Sequence, residues 1–215
     1  YHMQFLFVLI IILILIYFSL LLGLSTANFY KNKCKIISEN VPVSIIIAIR
    51  NGALSLPDLI NDLLSQEYKG EVEFILVDDH SQDNSLEIIK NASQLDSRFI
   101  IERASNGNPL LNHKKRALDA GISKAKNEWL LFTDVDCRLS SKWINGMSKY
   151  FNDNNDYVIG FSHMEKTNKL LNIFQSIDYL LLLIAARGAV RLNHPWACTG
   201  QNQAYRKSLY HKIDG

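Results

Sequence analysis

No Asp, Glu, Lys or Arg occurs before Lys31, and within that uncharged stretch Phe5–Leu24 holds 18 apolar residues out of 20, broken only by Ser19 and Gly23. Twenty residues at the helical rise span about 30 Å, the thickness of a bilayer's hydrocarbon core. The segment has no polar stripe, which suits lipid better than a core helix. Ser25-Thr26-Ala27 resembles a signal-peptide cleavage site, but the apolar run exceeds the usual h-region and no Lys or Arg precedes it. The expectation is a transmembrane anchor over residues 1–30, with its span at about 5–24. Lys31, Lys33 and Lys35 follow directly. By the positive-inside rule they put the downstream chain in the cytoplasm, on the inner face of a cell or plasma membrane.

All 44 charged residues of the 215-residue chain lie from Lys31 onward. That density is ordinary for a soluble domain, and the length suffices to bury a core. A net charge of +2 offers no footprint for nucleic acid. Cys34, Cys137 and Cys198 are odd in number and widely spaced, so neither a disulfide framework nor a zinc site is expected.

After a polar linker at residues 31–40, strands and helices alternate. Val43–Ile49 is a β-branched apolar run closed by the turn Arg50-Asn51-Gly52. Ser55-Leu56-Pro57-Asp58 opens a helix with its apolar face at Leu59, Ile60, Leu63 and Leu64. The pattern predicts further strands at Val72–Val77, Phe99–Ile101, Trp129–Thr133 and Tyr157–Ser162. Helices are predicted after Asp83 or Ser85, near Lys114–Lys126, near Lys142–Tyr150 and over Leu170–Ala186. The last is expected to be core or membrane-proximal surface, too short and too interrupted by Asn172, Gln175 and Asp178 to be a second span. Such alternation implies an α/β fold, a three-layer sandwich with a mainly parallel sheet preceded by one transmembrane helix.

Ligands of such sheets bind beyond the carboxyl ends of the strands. Three predicted strands end there in Arg50-Asn51, Asp78-Asp79 and Asp134-Val135-Asp136. Two carboxylates two residues apart can offer oxygen ligands to Mg²⁺ or Mn²⁺, and such a cation neutralises a nucleotide's phosphates. Alone the D-x-D tripeptide is a weak signal; its place directly after an apolar strand strengthens it. Asp78 and Asp79 can accept hydrogen bonds from a uracil N–H or from ribose hydroxyls. His80 reads as a surface residue. His113-Lys114-Lys115-Arg116 sets cations at a helix start, where the backbone disfavours them, and contact with a diphosphate would offset that.

Four segments occur in order: VSIIIAIRN, FILVDDHSQDNS, HKKRALDAGISKAKNEWLLFTDVDC and CTGQNQAYRKSLY. Together they resemble the family-2 glycosyltransferases, inverting enzymes of the GT-A fold that use nucleotide-sugar donors. The resemblance covers residues 41–215. It implies that Ala48, Arg50 and Asn51 lie against the nucleotide base, with Ala48 where Pro is usual and Gly52 where a related pattern has Glu. Asp78 and Asp79 would bind the uridine. Lys114 would lie near the donor, with His113 where Gly is common and Asp119 where Asn is common. Asp134 and Asp136 would hold the metal, Asp136 the closer. Gly200, Gln201 and Asn202 would line the donor-sugar and acceptor side.

The resemblance further implies a UDP-sugar donor, a carbohydrate or lipid-linked acceptor, and a downstream acidic general base. The expectation is that this base lies beyond Gly215, Asp214 being too near Arg206-Lys207. Residues 41–215 would then be a truncated, donor-binding half, itself unable to transfer sugar. His194, Pro195 and Trp196 are placed either at the acceptor side or at an ordinary aromatic turn. Two other readings stand beside this one: a catalytically silent, membrane-anchored nucleotide-binding or scaffold protein, and a phosphoacceptor receiver domain. The receiver lacks a place for the βα unit preceding Asp78-Asp79.

Overall fold

A computed structural model of the chain describes residues 2–27, 40–164, 170–195 and 198–213. Residues 31–39 of the expected linker, with Cys34, and Trp196 and Asp214 lie outside these residues. The chain divides into two compact units, one of residues 1–34 and 161–198, the other of residues 35–160 and 199–215.

The first unit contains two long helices. Helix α1, His2–Ala27, covers the whole uncharged segment. Its described side chains from Gln4 to Leu20 are all exposed, as an apolar helix without a protein core must be. Helix α6, Leu170–Arg191, runs five residues past its expected end. The expected length is therefore corrected: at 22 residues α6, like α1, is long and apolar enough by length and composition to cross a membrane. Asn172, Gln175 and Asp178 do not stop it, because the i→i−4 backbone ladder does not depend on side-chain polarity.

The second unit is a six-stranded sheet in the order β3-β2-β1-β4-β6-β5. Strands β1 (Val43–Ile49), β2 (Val72–Asp78), β3 (Phe99–Arg103) and β4 (Trp129–Phe132) are parallel; β6 (Gln203–Arg206) runs antiparallel to both β4 and β5 (Tyr157–Ile159). The period of two explains the layers. Ile45, Ile47 and Ile49 of β1, with Phe74 and Leu76 of β2, face a core closed by Leu59 and Leu63 of α2 (Leu56–Leu64), Ile89 of α3 (Ser85–Leu95) and Ile144 of α5 (Trp143–Ser148). The alternate residues Ile46, Ile75, Val77, Leu130 and Phe132 face Ala117, Ala120 and Ile122 of α4 (His113–Lys124). Both faces of the central strands are covered, so they read as apolar runs, their interior polar residues Ser44 and Glu73 buried and hydrogen-bonded to each other.

Strand β6 was not expected. It is four residues long and only Ala204 is fully buried, too short a span for alternation to register. Its partners give it away in space: Tyr205 stacks on Phe132 at 4.6 Å, and the Arg206 guanidinium lies 5.1 Å over the Trp129 ring. A short helix α7, Lys207–Lys212, follows it.

Candidate functional site

The chain lays down β1, β2 and β3 outward in one direction, with α2 and α3 on one face of the sheet. It then crosses by α4 on the other face and inserts β4 on the far side of β1. Between β1 and β4 the order of winding reverses, and at such a switch point the loops diverge and leave a crevice. Pairing of these two strands stops at Ile46 opposite Phe132, while β1 runs on to Ile49. The three polar strand ends all open onto this rim.

The loop after β1 is fastened to the loop after β2. Asn51 takes a left-handed φ of 54°, a region that Asn tolerates better than most residues. Its amide donates to Ser81 Oγ at 3.1 Å, and its Oδ1 accepts the Gln82 amide at 2.8 Å. The Gly52 amide donates to Ser85 Oγ at 2.8 Å and the Ala53 amide to Asp83 Oδ2 at 3.0 Å. Asp83 also accepts from the Ser85 hydroxyl, which holds its carboxyl below the usual range. The expectation that Asp83 or Ser85 caps α3 is corrected: Asn84 occupies the cap position, and Asp83 sits just ahead of it, accepting the Ser85 amide at 3.0 Å.

Asp79 is buried, its side chain only 11% exposed. Its amide donates to the Ile49 carbonyl at 2.7 Å, its Oδ2 lies 4.0 Å from Arg50 Nη1, and its Oδ1 lies 3.2 Å from His80 Nδ1. His80 is exposed, as expected, with a left-handed φ of 56°. Asp78 Oδ1 accepts the Ser81 amide at 3.3 Å. A half-buried acidic pair at a strand end thus retains lone pairs for a donor from outside.

Lys114, at the first turn of α4, reaches Asp134 Oδ1 at 2.5 Å. The cation at the helix start therefore has a carboxylate partner 20 residues away. Asp136 is exposed. Between them Val135 packs toward the β1 turn: a Cβ on Gly52 would lie 2.7 Å from Val135 Cγ2, so only Gly lets the two loops approach this closely. The half-buried Cys137 thiol is pushed up by burial and then by the neighbouring carboxylates of Asp134 and Asp136.

Sequence reasoning missed what holds the D-x-D loop. Arg138 grips Asp62 of α2 with two hydrogen bonds, Nε to Oδ2 at 2.8 Å and Nη2 to Oδ1 at 3.0 Å, and the Leu139 amide donates to Asp62 Oδ2 at 2.8 Å. Nothing in the spacing of residues 62 and 138 signals this pairing. The Arg138 bond holds the Asp62 carboxyl below its ordinary range. A depressed carboxylate contributes its stabilisation fully above the unfolded value of about pH 4 and loses it as pH falls through its own lower value. Asp62→Asn should therefore flatten the acid limb of the stability curve below about pH 4 and loosen the loop. Denaturant melts of both proteins across that range test this; parallel curves would contradict it.

The remaining expected positions enter from β6. Because β6 opposes β4 with Gln203 across from Phe132, residues 200–202 arrive at the same rim. Gly200 is exposed and Gln201 half-buried. Asn202 is buried; its Oδ1 accepts the Trp143 indole N–H at 3.0 Å and its carbonyl accepts the Gly160 amide at 2.8 Å. Those bonds make it a brace between α5, β5 and the entry to β6. Ala48 is half-buried within β1, on the α4 side.

A family model for glycosyl transferase family 2 matches residues 44–214. A curated relative from Haemophilus influenzae, described as an uncharacterized glycosyltransferase, is 30% identical over 151 residues, covering 67% of this chain and 58% of the relative. The poly-beta-1,6-N-acetyl-D-glucosamine synthase of Staphylococcus epidermidis is 27% identical over 144 residues, covering 66% of this chain and 33% of the synthase. The chain thus spans between a third and three-fifths of these relatives. Among solved structures, a mannosyltransferase from Pyrobaculum calidifontis in complex with GDP-Man and Mn²⁺ matches 93% of this chain and 55% of its own, with a TM-score of 0.66 at 16% identity. TarS of S. aureus with UDP-GlcNAc matches 81% of this chain and 48% of its own, with a TM-score of 0.56 at 17% identity. At such identities the likeness concerns the fold.

Proposed function

We propose, since this chain belongs to glycosyl transferase family 2, that its sheet rim binds a UDP-sugar whose sugar is transferred with inversion to the hydroxyl of a carbohydrate or lipid-linked acceptor. One observation supports the reading: Asp78 and Asp79 at the end of β2, and the Lys114–Asp134 pair with Asp136 after β4, lie at strand ends on the rim where pairing of β1 with β4 stops. Asp78 and Asp79 accept hydrogen bonds from the uracil and ribose, with Ala48, Arg50 and Asn51 alongside the base. Lys114 moves its charge from Asp134 toward the departing diphosphate. Gly200 and Gln201 border the sugar, and Asn202 positions them.

The donor set fits a hard divalent cation, Mg²⁺ or Mn²⁺: two carboxylates on one tight turn, with no soft ligand between them. Among the described residues no group of three His, Cys, Asp or Glu side chains converges, so diphosphate and water oxygens would complete the shell. Asp136 and Asp134 would hold the ion, which when bound offsets charge on the leaving diphosphate. A general base is assigned to none of the rim residues. We place α1 across a membrane, with Lys31, Lys33 and Lys35 on the cytoplasmic side and the rim facing cytoplasmic nucleotide sugars. Residues 41–215 form the glycosyltransferase domain in this reading, beyond a linker at 31–40.

Among the alternatives, an antiparallel pair at β6 is foreign to the all-parallel receiver order. Incubating the full-length protein with UDP-sugars and membrane acceptors, then assigning the new anomeric centre by NMR, tests the proposal. An inverted product is expected; a retained configuration would contradict it.

A further inference from the structure

Helix α6 exposes most of its apolar side chains, alongside Gln175 and Asp178. Asn172, Ser176, Tyr179 and Leu183, at spacings of four, three and four, form its part-buried to buried side. Leu170, Ile173, Phe174, Ile177 and Leu180, on the other side, are exposed, Phe174 at 69%. Water would favour the opposite arrangement, and so long an exposed apolar stripe marks an interaction surface. Its composition alone would let it span a bilayer. Connectivity forbids that. The helix joins β5 to β6, adjacent strands of one sheet paired Val158 to Ala204. Its two ends therefore lie on the same side of any membrane, and neither 160–169 nor 192–202 is apolar enough for a return crossing.

The same unit holds α1, and the two helices meet at their C-terminal turns. A Cβ on Gly188 would overlap the carbonyl oxygen of Leu24, so the backbones touch there, flanked by buried Ala185 and Ala189. Small residues at a helix crossing are the usual means of such approach in lipid. Leu24 ends the apolar run of α1 just ahead of Lys31, which puts the meeting point at the membrane's cytoplasmic surface. The charges on α6 fit that depth: Asp178 and Arg187 are both exposed, tolerable among headgroups and costly at the bilayer centre.

We propose that α6 lies in the plane of the cytoplasmic membrane surface, with Leu170, Ile173, Phe174, Ile177 and Leu180 seated at the headgroup–acyl boundary. The lipid bilayer is its partner. The proposal rests on α1 spanning the membrane.

The test places a single environment-sensitive fluorophore on Phe174→Cys, Ile177→Cys or Leu13→Cys, in the full chain with Cys34, Cys137 and Cys198 replaced by Ser, reconstituted in liposomes. The Phe174→Cys and Ile177→Cys labels should be quenched about twofold more by lipids spin-labelled near the headgroup than by lipids labelled near the chain end. The Leu13→Cys label should show the reverse. Three results overturn the proposal while the Leu13→Cys label still reports deep lipid. A water-like signal from α6 shows the stripe in solvent, and an apolar signal without quenching shows it covered by protein, such as a second copy. Deep quenching equal to that at Leu13→Cys shows a span. A Leu13→Cys label outside lipid instead removes the anchor, and the proposal with it.

Discussion

Asp136→Ala in the full-length enzyme should lower sugar transfer by about three orders of magnitude while leaving the unfolding transition in place. The two halves of that expectation have separate causes. Asp136 is exposed at the tip of a turn, so the core does not depend on it. The turn keeps its shape through Val135 packing beside Gly52 and through the hold of Arg138 and Leu139 on Asp62. In the proposed site the variant loses the carboxylate most open to a cation, and with it the charge balance that a bound cation would give a departing diphosphate. Asp134→Ala should differ in kind, because it also releases Lys114 from its ion pair. Steady-state rates alongside thermal melts distinguish the two variants. Undiminished turnover in Asp136→Ala would take that carboxylate out of the donor site.

Asp79→Ala should weaken UDP binding by about ten- to a hundredfold, the range expected for losing a hydrogen bond to a charged group. Asp79 is the more buried of the acidic pair and is fixed by its own backbone bond to Ile49. Its carboxylate is poorly compensated within the protein, with Arg50 at 4.0 Å and the exposed His80 at 3.2 Å. A buried carboxylate so thinly partnered gains most from a ligand donor, and its removal costs the free protein little. Titration calorimetry with UDP reads the loss of affinity, and a melt shows that the fold persists. Equal affinities for variant and parent would place the nucleoside elsewhere.

The parts of this molecule visible in its sequence are those with local causes. Strands β1, β2 and β4 are apolar on both faces because helices cover both, so they stand out as short β-branched or leucine-rich runs. Their polar ends marked the rim, and Asp78, Asp79, Lys114, Asp134 and Asp136 all lie on it. Parts with non-local causes were hidden. The crevice exists because β4 inserts beside β1 after the chain has wound outward to β3, an ordering that no window of residues records. The Arg138–Asp62 clasp joins residues 76 apart. Asn202, expected beside the sugar, turns its side chain to the Trp143 indole, and only the pairing of β6 with β4 explains why it is there. Helix α6 outran its expected end because polar side chains along it leave the backbone ladder intact.

If the carboxylate rim is a metal-assisted uridine-diphosphate site, this chain should bind UDP more tightly with a divalent cation than without it. Calorimetric titration of this chain with UDP, with and without Mn²⁺, tests it most directly. The expected result is saturable binding that Mn²⁺ tightens by about tenfold or more, with the gain lost in Asp136→Ala. A preference for GDP over UDP would reassign the base-binding pair. Binding of neither nucleotide, with or without the metal, would contradict a donor site on this rim and leave a protein that keeps the fold without the chemistry.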